Sequence, residues 1–248
     1  MPAYQFAVEN GVDTLEMDMH VTKDNVIVLT HDPYLNPKLC IDKNGKAISG
    51  DILVHGLTLK ELQSYDCGAL QNPKFSEQQP VPKTPIPTLE QLFIWAKNKK
   101  VRFNIETKSE EAHPEYTPDP ETFVKMFLQL VHKYKLLDRV ILQSFDYRTL
   151  EIAHRLEPKL RLAVLIEFRP SGGTKALVEL MQKYHAQILS PNGEWLTKED
   201  VEAMHKIGAQ VIPWTINTKE EWTALMQMGV DGIITDNPRG LVQFTKAK

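Results

Sequence analysis

The stretch VDTLEMDM, residues 12–19, predicts a β-strand with acidic side chains on one face. Alternate residues of a strand point to the same side, so Glu16 and Asp18 share a face and the apolar residues between them point the other way. Two such charges in a hydrophobic chain are unfavourable without compensation, which a divalent cation commonly provides. The next predicted strand, 26–30, is followed directly by His31. We therefore predict a metal site with a histidine beside it.

Beyond this stretch, short β-branched runs alternate with segments of helical period. The other predicted strands are 101–106, 139–143, 160–166, 187–190, 209–213 and 230–235. The predicted helices are 1–11 with Gly11 as its stop, 121–135, 147–156, 174–184, 198–206 and 219–227. Alternation of this kind implies parallel strands joined by helices, which favours an α/β fold with a wound sheet or a TIM (β/α)8 barrel.

Several helix starts carry a capping motif, in which a threonine precedes an acid or amide by three residues. The pairs are Thr58 with Glu61, Thr88 with Gln91, Thr197 with Asp200, and Thr218 with Glu221. In this motif the threonine oxygen accepts a hydrogen bond from a free helix amide while the acid or amide side chain reaches back. The pairs therefore indicate where helices begin.

Polar residues at the carboxyl ends of the predicted strands favour the barrel over the wound sheet. They are Asp18, Glu106, Gln143, Ser190 and Trp214. The active site of a (β/α) barrel lies at that rim. The chain has neither a G-x-G-x-x-G turn nor a G-x-x-x-x-G-K-[ST] loop, so nucleotide binding is not expected.

Residues 34–88 interrupt the alternation and are rich in proline, glycine, asparagine and lysine. Only one helix is predicted there, 59–65, and the proline-rich stretch 80–87 cannot be helical. We interpret 34–88 as an insertion over the barrel rim, where loops often determine substrate selectivity. Its two cysteines, Cys40 and Cys67, can form one disulfide or remain free thiols.

Composition excludes several classes of function. The net charge of −3 without a basic cluster argues against a nucleic-acid partner. The sequence contains no apolar run of about 18 residues, so no membrane span is predicted. No signal peptide is visible at the N-terminus. Oligomeric state and localisation, periplasmic or secreted versus cytoplasmic, do not follow from the sequence.

Four segments together resemble the glycerophosphodiester phosphodiesterase family: 11–32, 86–90, 104–108 and 229–238. The resemblance covers essentially the whole chain, 1–248, as a single domain. It implies a TIM barrel, one Ca²⁺ or Mg²⁺, and a small-molecule glycerophosphodiester substrate. The implied reaction is hydrolysis to an alcohol and glycerol 3-phosphate, a step of lipid and glycerol metabolism.

The resemblance assigns the cation to Glu16, Asp18 and Glu106, and ligation by oxygen alone suits Ca²⁺ or Mg²⁺ better than zinc. It assigns the general acid for the departing alcohol to His31. A phosphate contact is implied for Lys108, which alternatively serves only as an ion-pair partner.

Trp214 is implied as a wall of the substrate cleft, with core packing as the alternative. His20 lies on the face of Glu16 and Asp18, where a structural histidine is as compatible with the pattern as a ligand.

The chain departs from the family at its start, where a strand ending in His-Arg-Gly is absent. Residues 1–11 read instead as the first helix, so we expect a barrel without its first strand. Either the natural start lies upstream of Met1 or the chain is shortened. Without the first histidine, we expect the 248-residue chain to be nearly inactive and poorly stable.

Two other functions fit the pattern. One is a lysophospholipase D-like phosphodiesterase on the same barrel, but the polar character of 34–88 favours a small, water-soluble substrate. The other is a catalytically silent relative that retains the metal site for sensing or scaffolding.

Overall fold

The computed structural model describes residues 1–75 and 77–247. The strands are β1 (Thr14–Val21), β2 (Ile27–Leu29), β3 (Arg102–Thr107), β4 (Val140–Ser144), β5 (Arg161–Ile166), β6 (Ile188–Pro191) and β7 (Gln210–Val211). The helices are α1 (Pro2–Glu9), α2 (Leu59–Leu62), α3 (Leu89–Trp95), α4 (Pro120–Lys133), α5 (Tyr147–Leu156), α6 (Gly173–Lys183), α7 (Lys198–Lys206), α8 (Lys219–Met228) and α9 (Pro238–Lys246). Ser76, in the predicted insertion, and Lys248, in the predicted domain, lie outside the described residues.

The strands form one sheet in the order β2-β1-β3-β4-β5-β6-β7. β2 pairs with β1 antiparallel, whereas β4 to β7 pair with one another parallel in chain order. A mostly parallel sheet whose strands alternate with helices confirms the predicted α/β fold of the TIM-barrel type, with seven strands in the described residues. None of the helices in those residues is both long enough and apolar enough to cross a membrane.

The chain divides into two compact units. The first comprises Met1–Phe6, Met17–Lys100 and Glu106–Leu136, and the second comprises Ala7–Glu16, Val101–Ile105 and Leu137–Lys248. The divisions fall within β1 and β3, so neither unit is one continuous stretch of sequence.

The second unit contains the regular part of the fold. β4 pairs with β5 at Gln143 and Ala163, and Ala163 in turn faces Ile188 of β6. The predicted capping motifs Thr197–Asp200 and Thr218–Glu221 are present at the starts of α7 and α8. In this unit the predicted helix starts and the predicted parallel pairing of strands are therefore both present.

The strand predicted over 230–235 is not formed. Residues there instead follow β7 and the segment after it through separate backbone hydrogen bonds, from Asp231 N to Val211 O, from Ile234 N to Pro213 O and from Ile216 N to Ile234 O, each 2.9 Å. Only the first of these bonds reaches β7 itself, and separate bonds do not make a ladder, so the segment is not a strand of the sheet.

The first unit contains the antiparallel hairpin of β1 and β2, in which His20 faces Val28. The capping motifs at Thr58 and Thr88 are present. The helix predicted over 59–65 is shorter than expected and ends at Leu62. Two helices were not predicted, α3 in the first unit and α9 in the second. For α3, only the start was predicted, from its capping motif.

Residues 34–88 are held together by few regular elements. Cys40 and Cys67 form a disulfide, and a small apolar core contains Leu35, Val54 and Ile86. Asp66 accepts backbone hydrogen bonds from Gly68, Lys83 and Thr84. Side-chain links, the disulfide and isolated β-bridges such as Ile41 with Asp66 thus take the place of regular strands in this segment.

Candidate active site

Three carboxylates come together in β1 and β3. One oxygen each from Glu16, Asp18 and Glu106 lies within 4.8 Å of the others. Met17, between the first two, is buried, as alternation along β1 requires. The structure therefore brings together all three residues that were predicted as cation ligands.

Lys108 supplies positive charge to this group. Its Nζ lies 3.4 Å from Asp18 Oδ1 and 3.2 Å from Glu106 Oε1. Burial lowers the pKa of Lys108, but the charges of Glu106 and Asp18 outweigh burial, and the pKa lies above its ordinary value. The side chain is therefore an ammonium ion, and its single charge offsets only part of the charge that three carboxylates can carry.

Glu106 is buried and only partly compensated. Its side chain is 7% exposed, and burial raises its pKa to about 8. Lys108 opposes this shift, whereas the neighbouring Asp18 adds to it. A raised carboxyl pKa means that the surroundings stabilise the ionised form less than water does. A set of three carboxylate donors, one of them short of positive charge, fits a hard divalent cation such as Ca²⁺ or Mg²⁺.

His31 lies beside this group and has its own supporting residues. Its Nε2 is 3.5 Å from Lys108 Nζ, and its Nδ1 is 2.8 Å from Asp32 Oδ1. Asn36 Nδ2 donates to Asp32 Oδ2 at 3.1 Å. Burial would raise the pKa of Asp32, but the hydrogen bonds from His31 and Asn36 hold it below its usual value. The ionised Asp32 thus keeps a proton on Nδ1 and leaves Nε2 directed toward Lys108.

Two residues that had no predicted role orient Glu16. Gln143 Nε2 donates to Glu16 Oε1, and Asn104 Nδ2 donates to Gln143 Oε1, both at 2.7 Å. Hydrogen bonds of this kind fix the orientation of ligating carboxylates. The sequence offered a partial signal, because Asn104 shares a face of β3 with Glu106 and Gln143 lies near the end of β4.

Trp214 contacts two residues of the second unit. Its Nε1 donates to the carbonyl oxygen of Ser190 at 2.9 Å, and its ring meets that of Phe145 edge-to-face at 5.6 Å. Trp214 is partly exposed and Phe145 is exposed. The pair follows the carboxyl ends of β4 and β7, and a role of Trp214 as a cleft wall stays a prediction.

His20 occupies a buried position close to His31. Its Nε2 lies 3.2 Å from the carbonyl oxygen of His31 and so carries the proton. Burial lowers the pKa of His20 to about 4, so the ring is neutral at neutral pH. This contact positions the backbone at His31, which favours the structural alternative for His20.

Comparison with known proteins gives a consistent result. The model of the glycerophosphoryl diester phosphodiesterase family matches residues 1–239. A glycerophosphodiester phosphodiesterase from Caldanaerobacter subterraneus subsp. tengcongensis is 29% identical over 247 residues, which cover 98% of this chain and 90% of the relative.

Solved structures are similar over nearly the whole chain. A protein from Silicibacter pomeroyi, provisionally named a glycerophosphoryl diester phosphodiesterase, has a TM-score of 0.87 at 26% identity and covers 98% of this chain and 87% of its own. A phosphodiesterase from Oleispira antarctica, in complex with the product sn-glycerol-3-phosphate, has a TM-score of 0.80 at 20% identity. The match covers 98% of this chain and 90% of the other. At that identity the second likeness concerns the fold alone.

Proposed function

Because this chain belongs to the glycerophosphoryl diester phosphodiesterase family, and so to the phosphoric diester hydrolases, we propose that it hydrolyses glycerophosphodiesters with a divalent cation, Ca²⁺ or Mg²⁺, at Glu16, Asp18 and Glu106. His31 is the proposed general acid. The observation that carries the proposal is the convergence of three carboxylates on a position where one of them, Glu106, is buried and undercompensated.

The cation and Lys108 have related roles. When bound, the cation supplies positive charge that offsets the negative charge of the phosphodiester oxygens. Lys108 Nζ, which lies within 3.5 Å of Asp18, Glu106 and His31, adds a charge that can pair with phosphate. The phosphate would therefore bind next to Lys108, within reach of His31.

His31 provides the proton that the reaction requires. Water adds to phosphorus and releases one proton to solvent, while the bond from phosphorus to the alcohol oxygen breaks and the electron pair of that bond stays on the alcohol oxygen. His31 Nε2 donates a proton to this oxygen, with Asp32 stabilising the imidazolium through Nδ1. The ring is 74% exposed and regains its proton from solvent. The products are the alcohol and glycerol 3-phosphate.

We also propose that 34–88 is an insertion within a single barrel domain and that it influences which alcohol is accepted. The family model matches residues 1–239, a range that includes this segment. The insertion begins three residues after His31, so it is well placed to contact the alcohol that His31 protonates.

Glu106→Gln tests the cation site, with Glu110→Gln, an exposed carboxylate beyond β3, as the control. Loss of one ligand should weaken Ca²⁺ or Mg²⁺ binding by about 100-fold or more, whereas the control should bind as the wild type does. Isothermal titration calorimetry measures the binding, and release of glycerol 3-phosphate from glycerophosphocholine measures hydrolysis. Hydrolysis that persists after chelation of divalent cations would contradict the proposal.

His31→Ala tests the general acid, with His113→Ala, an exposed loop histidine, as the control. Hydrolysis of an alkyl diester should fall by about 10²–10⁴-fold, because an alkoxide leaves poorly without a proton. A p-nitrophenyl diester should lose far less, since p-nitrophenolate departs unprotonated. Equal losses for both leaving groups in His31→Ala would contradict the assignment.

A further inference from the structure

Two arginines lie at the amino end of the sheet, within the second unit. Arg102 is the first residue of β3 and Arg161 is the first residue of β5, with β4 between them. Ile141 of β4 pairs directly with Arg161. Asn104 of β3 is bonded to Gln143 of β4, so Arg102 and Ile141, two residues earlier on each strand, lie side by side. Because neighbouring strands are about 4.8 Å apart, the two arginine backbones are about 10 Å apart.

The two arginine side chains start from the same face of the sheet. Arg102 alternates with Asn104, and Arg161 alternates with Ala163. Asn104 is buried, and Ala163 belongs to a buried apolar cluster that also contains Ile141. Both arginines can therefore reach one ligand at the amino end of this face.

Neither arginine is compensated by a carboxylate. One of the five N–H groups of Arg161 donates to Gln210 Oε1, which is a neutral acceptor. Arg102 is exposed. The backbone carbonyl of Asp13 accepts a hydrogen bond from Arg102 N at 2.9 Å, but the two side chains form no ion pair. Within residues 1–75 and 77–247, neither guanidinium group forms an ion pair.

The surroundings of Arg161 disfavour its charge. Burial lowers the pKa of Arg161, and the charge of Arg102 lowers it further. A cation that is partly withdrawn from water and close to a second cation is unfavourable unless an anion compensates it. The arrangement is thus the converse of that at Glu106, where positive charge is lacking.

We propose that Arg102, Arg161 and Gln210 form a binding site for a phosphate-type dianion, either inorganic phosphate or a phosphomonoester. Guanidinium groups match the oxygens of such an anion with paired N–H donors, and two of them balance its charge. Gln210 Nε2, which has no acceptor among the described residues, supplies a further donor. The site is distinct from the carboxylates, since Glu106 lies about 13 Å further along β3.

Gln210→Glu tests the proposal, because it places an anion of the chain itself beside Arg161. The new carboxylate would accept the hydrogen bond that the amide oxygen accepts now, and it would compete with a bound phosphate. Gln182→Glu, at an exposed position of α6, changes the net charge equally and is the matched control. Isothermal titration calorimetry measures binding of inorganic phosphate, and separately of glycerol 3-phosphate, with divalent cations chelated.

The wild type and Gln182→Glu should bind inorganic phosphate, and Gln210→Glu should bind it about tenfold more weakly or worse. Arg102→Gln, at an exposed position that folding tolerates, should weaken binding by a similar factor. Tighter binding of glycerol 3-phosphate would identify a phosphomonoester as the ligand, and equal binding would identify the phosphate group alone, both in support of the site.

A structural role alone predicts different results. If Arg161 only links β5 to β7, Gln210→Glu should change resistance to urea without changing phosphate binding, which would overturn the proposal. Absence of phosphate binding in the wild type would also overturn it. Loss of binding in Lys108→Gln together with full binding in Arg102→Gln would place the phosphate at the carboxylates instead, and would overturn it as well.

Discussion

Two buried carboxylates, one in each compact unit, have opposite surroundings. Asp200, at the start of α7, has no exposed area, and Arg169 Nη1, Thr174 Oγ1 and Thr197 Oγ1 all donate to it. Burial would raise the pKa of Asp200, but these hydrogen bonds hold it below its usual value. Glu106 has a comparable burial and a pKa of about 8.

The difference lies in the number of partners and in their charge. Asp200 has an arginine and two hydroxyl groups, whereas Glu106 has Lys108 as its cation and Asp18 as a repelling neighbour. A fully partnered buried carboxylate stabilises the fold, whereas an undercompensated one indicates where a further positive charge belongs. The two sites therefore illustrate structural and functional uses of the same chemical group.

Removing the charge of Asp200 should have the largest effect on stability. Asp200→Asn leaves Arg169 without its anion and should lower the free energy of unfolding by about 3–5 kcal/mol. Urea denaturation measures this, with Glu202→Gln, an exposed residue of the same helix, as the control. A loss no greater than that of the control would show that Asp200 is not the structural counterpart of Glu106.

Glu106 should make the stability of the cation-free protein depend on pH. Its pKa is raised above the ordinary 4.5, so the stabilisation it contributes is complete below pH 4.5 and is lost as pH rises through about 8. The pKa of His20 is lowered from 6.5 to about 4, so this residue makes the free energy of unfolding depend on pH only below pH 6.5. Between pH 6.5 and 8 the free energy of unfolding should therefore fall by up to about 1.4 kcal/mol per pH unit because of Glu106.

Thermal unfolding in the presence of a chelator measures this slope. Glu106→Gln carries no titrating carboxyl group and should flatten it, and added Ca²⁺ or Mg²⁺ should flatten it in the wild type. The same slope in both proteins would mean that Glu106 is compensated as fully as Asp200.

Gln143 is an intermediate case, because it supports a carboxylate without contributing charge. Gln143→Met keeps a similar volume but removes the hydrogen bond to Glu16, and we expect cation affinity to fall by about tenfold. Gln182→Met, at an exposed position, is the control, and isothermal titration calorimetry measures the cation affinity. Unchanged affinity would show that Glu16 is oriented without Gln143.

The smallest effect should come from a carboxylate with only local partners. Glu221 is exposed and accepts hydrogen bonds from the backbone and hydroxyl of Thr218. Thr218→Ala should cost about 1 kcal/mol of stability through loss of the helix cap. Thr223→Ala, within the same helix, should cost less. Equal changes in urea denaturation would contradict a specific contribution from the cap.

The regular part of the fold could be predicted because its signals are local. The capping pairs, such as Thr197 with Asp200, mark helix starts through contacts three residues apart. The segment 230–235 has the composition of a strand, yet the structure gives it only separate backbone bonds to β7 and to the residues that follow β7. Strand composition is a local property, whereas a ladder depends on what lies beside it.

The candidate site could be predicted only in part for a related reason. Glu16 and Asp18 follow from alternation, and Glu106 followed from the family resemblance. The support of Glu16 by Gln143 joins residues 127 positions apart, which no periodicity records. The small apolar core of the insertion, which contains Leu35 and Ile86, likewise depends on packing that the polar composition of 34–88 did not indicate.

The link between Cys40 and Cys67 has a practical consequence for handling the protein. It closes a loop with a sequence separation of 27 and borders the space beside His31. Material purified with a thiol reagent and material purified in air are therefore two chemical species with one sequence. Their oxidation history has to be recorded and matched before any two batches are compared.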